Sequence, residues 1–399
     1  MGADCKSAGV AFSGSNPLPA TSIGLLCDNA SVGRRVLLIA ITVILAISVI
    51  PTQANVNKRT HTLTNGVDIS WLPDVENVGG KFFVKPGLEK PALKLLQSQG
   101  IHIGRVRVWV DKEDGQASLQ RAIKLAKRLH ANEMQVLLDF HLSDTWADPG
   151  NQQTPSSWAT TDRDQLKARL VTYIEESMSA FLDAGVVVDI VQIGNEIGNG
   201  FLWPIGRIDS ESAQQWAAFV ELHNSASMAV QRISPNSKLL LHLHDGGNSV
   251  WVAWWMTQAQ KHGLLATDYI GVSYYPNWHG SLDQLKETLI YLTSQNHKVW
   301  IVETAYPWTP EFFGNDIINP YQARLSGYKL TPAGQAKYVR SLRKLMKGLH
   351  ASGMGIIWWE GLAINVGRYG RKFKSGMQNS TLFDDTGRML PALQQLGKS

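Results

Sequence analysis

Two glutamates, Glu196 and Glu303, each stand at the end of a short apolar run, Val191-Gln192-Ile193-Gly194-Asn195 before the first and Val299-Trp300-Ile301-Val302 before the second. A pair of carboxyls facing one bond is the minimal equipment for cutting a glycosidic linkage. One, kept protonated, gives its proton to the leaving oxygen; the other, ionised, attacks the sugar or activates water. A separation of about 5 Å suits retention of configuration, and a wider gap suits inversion. Either Glu alone would read as a surface carboxylate at a loop start, but two in the same register are hard to explain that way. Around them, Asn195 is expected to donate to a sugar hydroxyl beside the reacting carbon. Arg107 is expected to hold Glu303 as an anion, with the Tyr274 hydroxyl donating to the same group.

A second kind of chemistry has to be weighed. His242-Leu243-His244, followed by Asp245, puts two imidazoles on one strand face, and His141, Asp139 or Glu303 could complete a metal site. Imidazoles and carboxylates serve equally well as partners for sugar hydroxyls. No H-E-x-x-H, C-x-x-C or G-x-S-x-G occurs, and phosphate-binding glycine patterns are missing. The reading is therefore of a hydrolase with no metal and no cofactor. The 14 tryptophans supply flat apolar surface, suited to stacking on sugar rings as well as to core packing.

Such side chains need a frame. Short apolar, β-branched runs recur at 67–70, 101–109, 135–140, 187–193, 238–243, 269–274, 298–302 and 355–359. Between them lie stretches of helical periodicity such as Leu119 to Leu129, Gln165 to Asp183 and Pro332 to Leu349. Alternating strands and helices imply parallel strands, and eight repeats in one continuous domain predict an α/β (β/α)8 TIM barrel. A doubly wound sheet would carry a glycine-rich turn after its first strand, where Trp71-Leu72-Pro73 stands instead. In such a barrel the chemistry lies at the C-terminal strand ends, and every run here closes on polar or aromatic residues. The fourth and seventh runs, bearing Glu196 and Glu303, are expected on opposite sides of the mouth.

The formal charge of +5 is modest and no long Lys/Arg run occurs, so nucleic acid is not an implied partner. Arg34 and Arg35 precede an apolar run over residues 36–50, and small residues follow up to Ala54. That shape predicts a secretory signal cleaved after Ala54. The run is short for a membrane span of about 20 residues, so a membrane contact is expected only if the run is retained as an anchor. The division expected is an N-terminal extension over 1–54 and a catalytic barrel over 55–399, acting as a monomer. Cys5 and Cys27 both fall in the extension, so the barrel must be stabilised by its core alone.

The segments GVDISWLPDVENVGGKFF (66–83), RVRVWVD (105–111), LLDFHLSDTWADPGNQQTPSSW (137–158), VQIGNEIGNGFLWPIG (191–206), IGVSYYPNWHGSL (270–282) and VETAYPWT (302–309) strongly resemble the endo-β-1,4-galactanases of glycoside hydrolase family 53. The likeness runs in order from about residue 61 to the C-terminus. It implies a barrel with a retaining mechanism, Glu196 in the acid/base motif and Glu303 in the nucleophile motif. The implied substrate is β-1,4-galactan, in the side chains of pectin and in type I arabinogalactan, cut internally. Implied sugar contacts are Asp68, Trp71, Asp74, Trp109, His141, Asp144, Trp146, Trp278, His279 and Trp308. Leu142 departs from the pattern, which has an aromatic there, and the stretches 242–255 and 355–370 also diverge. They leave room for a barrel glycanase shifted to another β-linked polymer. A non-catalytic carbohydrate binder and a metal-dependent hydrolase are the remaining alternatives. Asn315-Asp316 are the residues to inspect for calcium.

Overall fold

A computed structural model describes residues 62–111, 115–313, 316–364, 366 and 375–398. The two cysteines, the apolar run, the Ala54 cleavage site and Asn315 lie outside the described residues. Ten strands occur among those described: β1 (Gly66–Asp68), β2 (Phe83–Lys85), β3 (Leu88–Glu89), β4 (Ile103–Val108), β5 (Gln135–Phe140), β6 (Ile190–Ile193), β7 (Lys238–Leu243), β8 (Tyr269–Ser273), β9 (Lys298–Thr304) and β10 (Gly353–Trp358). β2 and β3 form a small hairpin, and the other eight close into a parallel barrel in chain order, with β1 pairing both β4 and β10. The eight expected runs are these eight strands. β6 and β9 are not opposite one another, as expected, but are separated by only β7 and β8.

Helices are set by local sequence signals. Ser118 and Asp162 cap the helices Leu119–His130 and Arg163–Asp183, and Ser281 with Gln284 makes a capping box for Leu282–Ser294. Each cap satisfies backbone N–H groups that the first turn leaves without partners. The helix Leu119–His130 buries Ala122, Ile123, Leu125, Ala126 and Leu129, a stripe at three- and four-residue spacing that packs on the barrel. Among the described residues no helix is long and apolar enough to cross a membrane.

The barrel interior changes character along its axis. Ile103, Leu137, Ile190, Leu240, Trp300, Val302 and Ile357 form an apolar cluster of their own, separate from the larger core between strands and helices. Gly355 makes room for the indole: a Cβ there would lie 2.8 Å from the Trp300 ring. Two residues further along the same faces stand Arg105, Asp139, Gln192 and His242, all buried. Because side chains alternate across a strand, each lies about 6.6 Å further along its strand toward the mouth than its apolar predecessor. An apolar floor therefore carries a polar layer, and the cleft opens above it.

β9 breaks the alternation. Trp300 and Val302 both belong to the interior cluster, so strict period two would turn Glu303 outward. The β8–β9 register shifts between Val272 and Ser273, which face Ile301 and Glu303. This bulge takes up Val302 and re-aims Glu303 into the mouth.

The ring is closed by a buried amide. Asn65, 1% exposed, accepts a hydrogen bond from the Ile356 N–H of β10 at 2.9 Å and donates to the Leu396 carbonyl of the last helix at 2.6 Å. Asn65→Ala leaves a buried N–H and a buried carbonyl unpaired, and should cost about 2–4 kcal/mol of unfolding free energy. Urea denaturation checks this, and a loss under about 0.5 kcal/mol, typical of a surface substitution, would be incompatible with the clamp.

Candidate active site

A cavity of about 490 Å³ opens at the C-terminal strand ends, and both Glu196 and Glu303 line it with Arg105, Asn195, Tyr275 and Trp359. Glu196 follows the end of β6 in the left-handed backbone region, at φ 51°. A non-glycine residue holds that conformation only where its surroundings fix it. Here the Gln152 side chain donates to the Asn195 carbonyl at 2.7 Å.

The two carboxyls have unlike neighbours. Glu303 accepts from the Tyr275 hydroxyl at 2.8 Å and from the Arg105 guanidinium at 3.0 Å. Among the described residues Glu196 receives a neutral donor only, the Ser273 hydroxyl, at 2.6 Å. Burial pushes Glu196 well above the usual carboxylate range, and the charge of Glu303 pushes it further. Burial also raises Glu303, but there the Arg105 charge and the Tyr275 hydrogen bond act against it. Of the two, Glu303 has the surroundings that favour the charged form more. One cavity thus holds two carboxyls in unlike electrostatic surroundings.

Arg105 is the hub. Buried at 1% exposure, it lies 2.8 Å from Asp139, 3.0 Å from Glu303 and 3.4 Å from Asp68, and donates to Asn195 Oδ1 at 2.7 Å. This corrects the expectation for Arg107, which pairs with Glu360 instead and sits with its guanidinium 4.1 Å from the Trp146 ring centroid. Both arginines point inward from β4, and only the depth of Glu303 decides between them. The expectation for Tyr274 is corrected likewise: its hydroxyl donates to the Gly280 carbonyl, and the neighbouring Tyr275 takes the expected role. Inward residues on β8 are Gly271 and Ser273, so period two continues to Tyr275 and turns Tyr274 away.

Ser273 joins Glu196 to a buried relay. His242 Nε2 lies 2.8 Å from Ser273 Oγ, and its Nδ1 lies 3.1 Å from both Asn195 Oδ1 and Gln192 Nε2. Burial, with Arg105 nearby, holds this imidazole well below its usual pKa and hence neutral. When Glu196 is ionised, Ser273 donates to it, His242 donates to Ser273 and Gln192 donates to His242. When Glu196 is protonated, its bond to Ser273 and the Ser273–His242 bond reverse, Nδ1 donates to Asn195 Oδ1, and Gln192 Nε2, which only donates, keeps Asp139 Oδ1 as its acceptor. Ser273 and His242 can each take either polarity, and the Glu196 N–H, 3.4 Å from Nδ1, favours the tautomer in which Nδ1 accepts.

The remaining sequence expectations divide. His141, Trp146, Trp278 and His279 line the cavity. Asn195 lines it too, but one amide N–H is bound to the Ala147 carbonyl at 2.9 Å. Asp68 lies beneath, beside Arg105. Trp71 and Trp109 pack around Arg107, at 5.3 and 5.7 Å. Asp74, Asp144 and Trp308 do not reach the cavity. Asp74 pairs with Arg121, Asp144 accepts from the Ser156 N–H and hydroxyl, and the Trp308 indole donates to the Gln378 carbonyl. Leu142 is buried in the main core. The two histidines proposed as a metal pair do not converge: His242 turns to Ser273, and His244 packs on Trp251 with ring centroids 4.4 Å apart. Asp316 accepts backbone N–H groups from Phe313 and Asn379. Among the described residues no cluster of three or more His, Cys, Asp or Glu has the makings of a metal site. Sequence reading gave Ser273 and Tyr275 no role, although their parity on β8 was available.

Residues 64–396 match the model of glycosyl hydrolase family 53. An arabinogalactan endo-β-1,4-galactanase from Humicola insolens is 35% identical over 341 residues, 82% of this chain and 97% of that protein. The structure of a family 53 catalytic domain from Ignisphaera aggregans superposes with a TM-score of 0.76 at 32% identity, covering 84% of this chain and 95% of that one. A structure from work on two fungal β-1,4-galactanases gives 0.72 at 32%, covering 84% and 98%.

Ser273→Ala removes the hydroxyl that stabilises the Glu196 anion, so the Glu196 pKa rises. The alkaline limb of kcat/KM, where the acid loses its proton, should move to higher pH, with the acidic limb little changed. A pH–rate profile reads this directly, and a limb that stays put or moves down would dismiss Ser273 as a partner of the acid.

Proposed function

The chain belongs to glycosyl hydrolase family 53, and from that premise we propose that it cuts internal β-1,4 linkages of galactan by double displacement, with Glu303 as nucleophile and Glu196 as acid/base. The observation that carries the reading is the asymmetry of the pair, one carboxylate gripped by a cation and a phenol, the other touched by a single neutral hydroxyl. The Humicola protein's name supports the substrate, and the mouth supports it chemically. Trp146, Trp278 and Trp359 give flat apolar faces for sugar C–H surfaces, while His141, His244 and His279 give hydroxyl partners.

In the first step Glu303 attacks the anomeric carbon as Glu196 protonates the leaving oxygen, and a glycosyl-enzyme ester forms. Esterification cancels the Glu303 charge, which removes one of the causes that hold the proton on Glu196. The same carboxyl, now a carboxylate with a lower pKa, takes a proton from water as the water oxygen bonds to the anomeric carbon, whose bond to Glu303 breaks to free the carboxylate and the sugar with its configuration retained. Tyr275 stays a neutral donor throughout, because burial and the two glutamates push its phenol well up.

The natural polymer on this reading is the galactan of pectin and type I arabinogalactan, and the chain reaches it by export. Support for export is the pattern Arg34-Arg35, the apolar run and the small residues before Ala54.

Glu303→Ala should abolish nearly all release of reducing sugar from linear galactan while polymer binding persists, since binding is spread over the cleft. Parent-like turnover would refute the nucleophile role. Glu196→Ala should cost roughly 10²- to 10⁴-fold on galactan and far less on aryl glycosides with good leaving groups. Equal losses on both substrates would count against an acid. Proton NMR of the first-formed product should show the β anomer, and the α anomer would contradict double displacement.

A further inference from the structure

We propose that the segment from His242 to Trp255 is a cradle for the acid/base glutamate, with Trp255 as the positioning residue. The inference rests on the assignment of Glu196 as acid/base and adds to it the means by which that carboxyl is kept in place. Trp255 is fully buried and so meets no substrate. Its effect passes through the backbone of the turn that carries Glu196.

That turn needs outside support. Gly194, Glu196 and Gly200 take φ of 76°, 51° and 79°, a left-handed backbone that only glycine adopts freely. A short 3₁₀ turn, Ile197–Asn199, follows Glu196 directly. Three carbonyls of this stretch are held by side chains. Gln152 donates to Asn195 at 2.7 Å, the Trp255 indole to Gly198 at 2.9 Å and the Trp203 indole to Asn199 at 2.9 Å. Gln152 and Trp203 stand on loops, whereas Trp255 stands within the helix Ser249–Lys261. Its ring meets Trp216 and Phe219 of the helix Ala213–Ile233 edge to face, with centroids 5.6 and 5.8 Å away. Packing of that kind fixes the rotamer, so the indole N–H is aimed at one point by a rigid element.

The rest of the segment closes on the same turn. A Cβ on Gly198 would lie 2.4 Å from the His244 ring and 2.5 Å from the Trp251 ring, so the backbone there is seated flush against both. Burial holds the His244 imidazole down at about 4, and the plate it presents is neutral. The Gly246 N–H donates to the Ser273 carbonyl at 3.0 Å, and His242 reaches the Ser273 hydroxyl at 2.8 Å. One segment therefore fixes both the backbone beneath the acid and the hydroxyl that touches its carboxyl. Proton transfer to a glycosidic oxygen requires hydrogen-bond reach, and a misplacement of about 1 Å can cost 10²-fold.

The test compares kcat/KM of the full chain on linear galactan, whose leaving group needs a proton, and on a dinitrophenyl β-galactobioside, whose leaving group does not. Trp255→Phe keeps an aromatic ring and removes the N–H. It should lower the galactan value by roughly 10- to 100-fold and leave the aryl value within about 2-fold. A general loosening of the fold would lower both alike. Equal losses on the two substrates, or a parent-like value on galactan, therefore overturn the cradle. Should thermal melting show that Trp255→Phe does not fold, Gly198→Ala, whose methyl forces the turn and the His244 and Trp251 rings apart, carries the same comparison with the same outcomes. Glu196→Ala is the reference. A contrast between substrates there, with none in the Trp255 variant, leaves the acid assignment standing and removes the cradle; no contrast in Glu196→Ala removes the assignment itself.

Discussion

A guanidinium sealed inside a barrel is tolerable only if its charge is balanced nearby, and both terminal nitrogens of Arg105 are met, by Asp68, Asp139, Glu303 and the Asn195 side-chain oxygen. The rest of the mouth follows from that cluster. One of the three carboxylates must also face the cavity, and Glu303 is the one that does. Its anion is stabilised by Arg105, and its negative charge in turn helps keep Glu196 protonated. The difference in role proposed for two chemically identical side chains originates in a cation beneath one of them.

The second inward arginine of β4 serves another purpose. Arg107 pairs with Glu360 and lies against the rings of Trp71, Trp109 and Trp146. A cation amid three indoles favours their arrangement through cation–π attraction, so Trp146, which lines the cleft, is supported from behind. Even with that cation beside it, burial pushes Glu360 up to about 8. Two arginines separated by one residue thus govern different functions, one electrostatic and one architectural.

Strain gathers where the strands open into loops. Leu142, Glu196 and Glu360 all adopt positive φ just beyond the ends of β5, β6 and β10. Such conformations cost about 1–3 kcal/mol each, and the apolar floor and buried ring closure below offset them. A stiff base lets the mouth hold side chains in orientations that an isolated chain would not choose.

Eight apolar runs, the helical periodicity between them and the polar residues at their ends were all legible in the sequence, because alternation and amphipathicity are local consequences of burial. Glu196 and Glu303 were legible for the same reason: each closes a strand. Depth within the barrel was not. Arg105 and Arg107 share one face, and their roles separate only when β9 brings Glu303 to a definite level. The bulge at Val302 sets that level, and a bulge is a property of two paired strands that neither strand's sequence announces. Asp74, in the helix after β1, and Asp144, in the loop after β5, show the same limit, since a carboxylate near the mouth can turn to Arg121 or Ser156 as readily as to a ligand. Residue type and order determined which groups stand at the mouth. Register between neighbouring strands decided which of them meet, because a contact across a barrel depends on the relative shift of segments far apart in the chain.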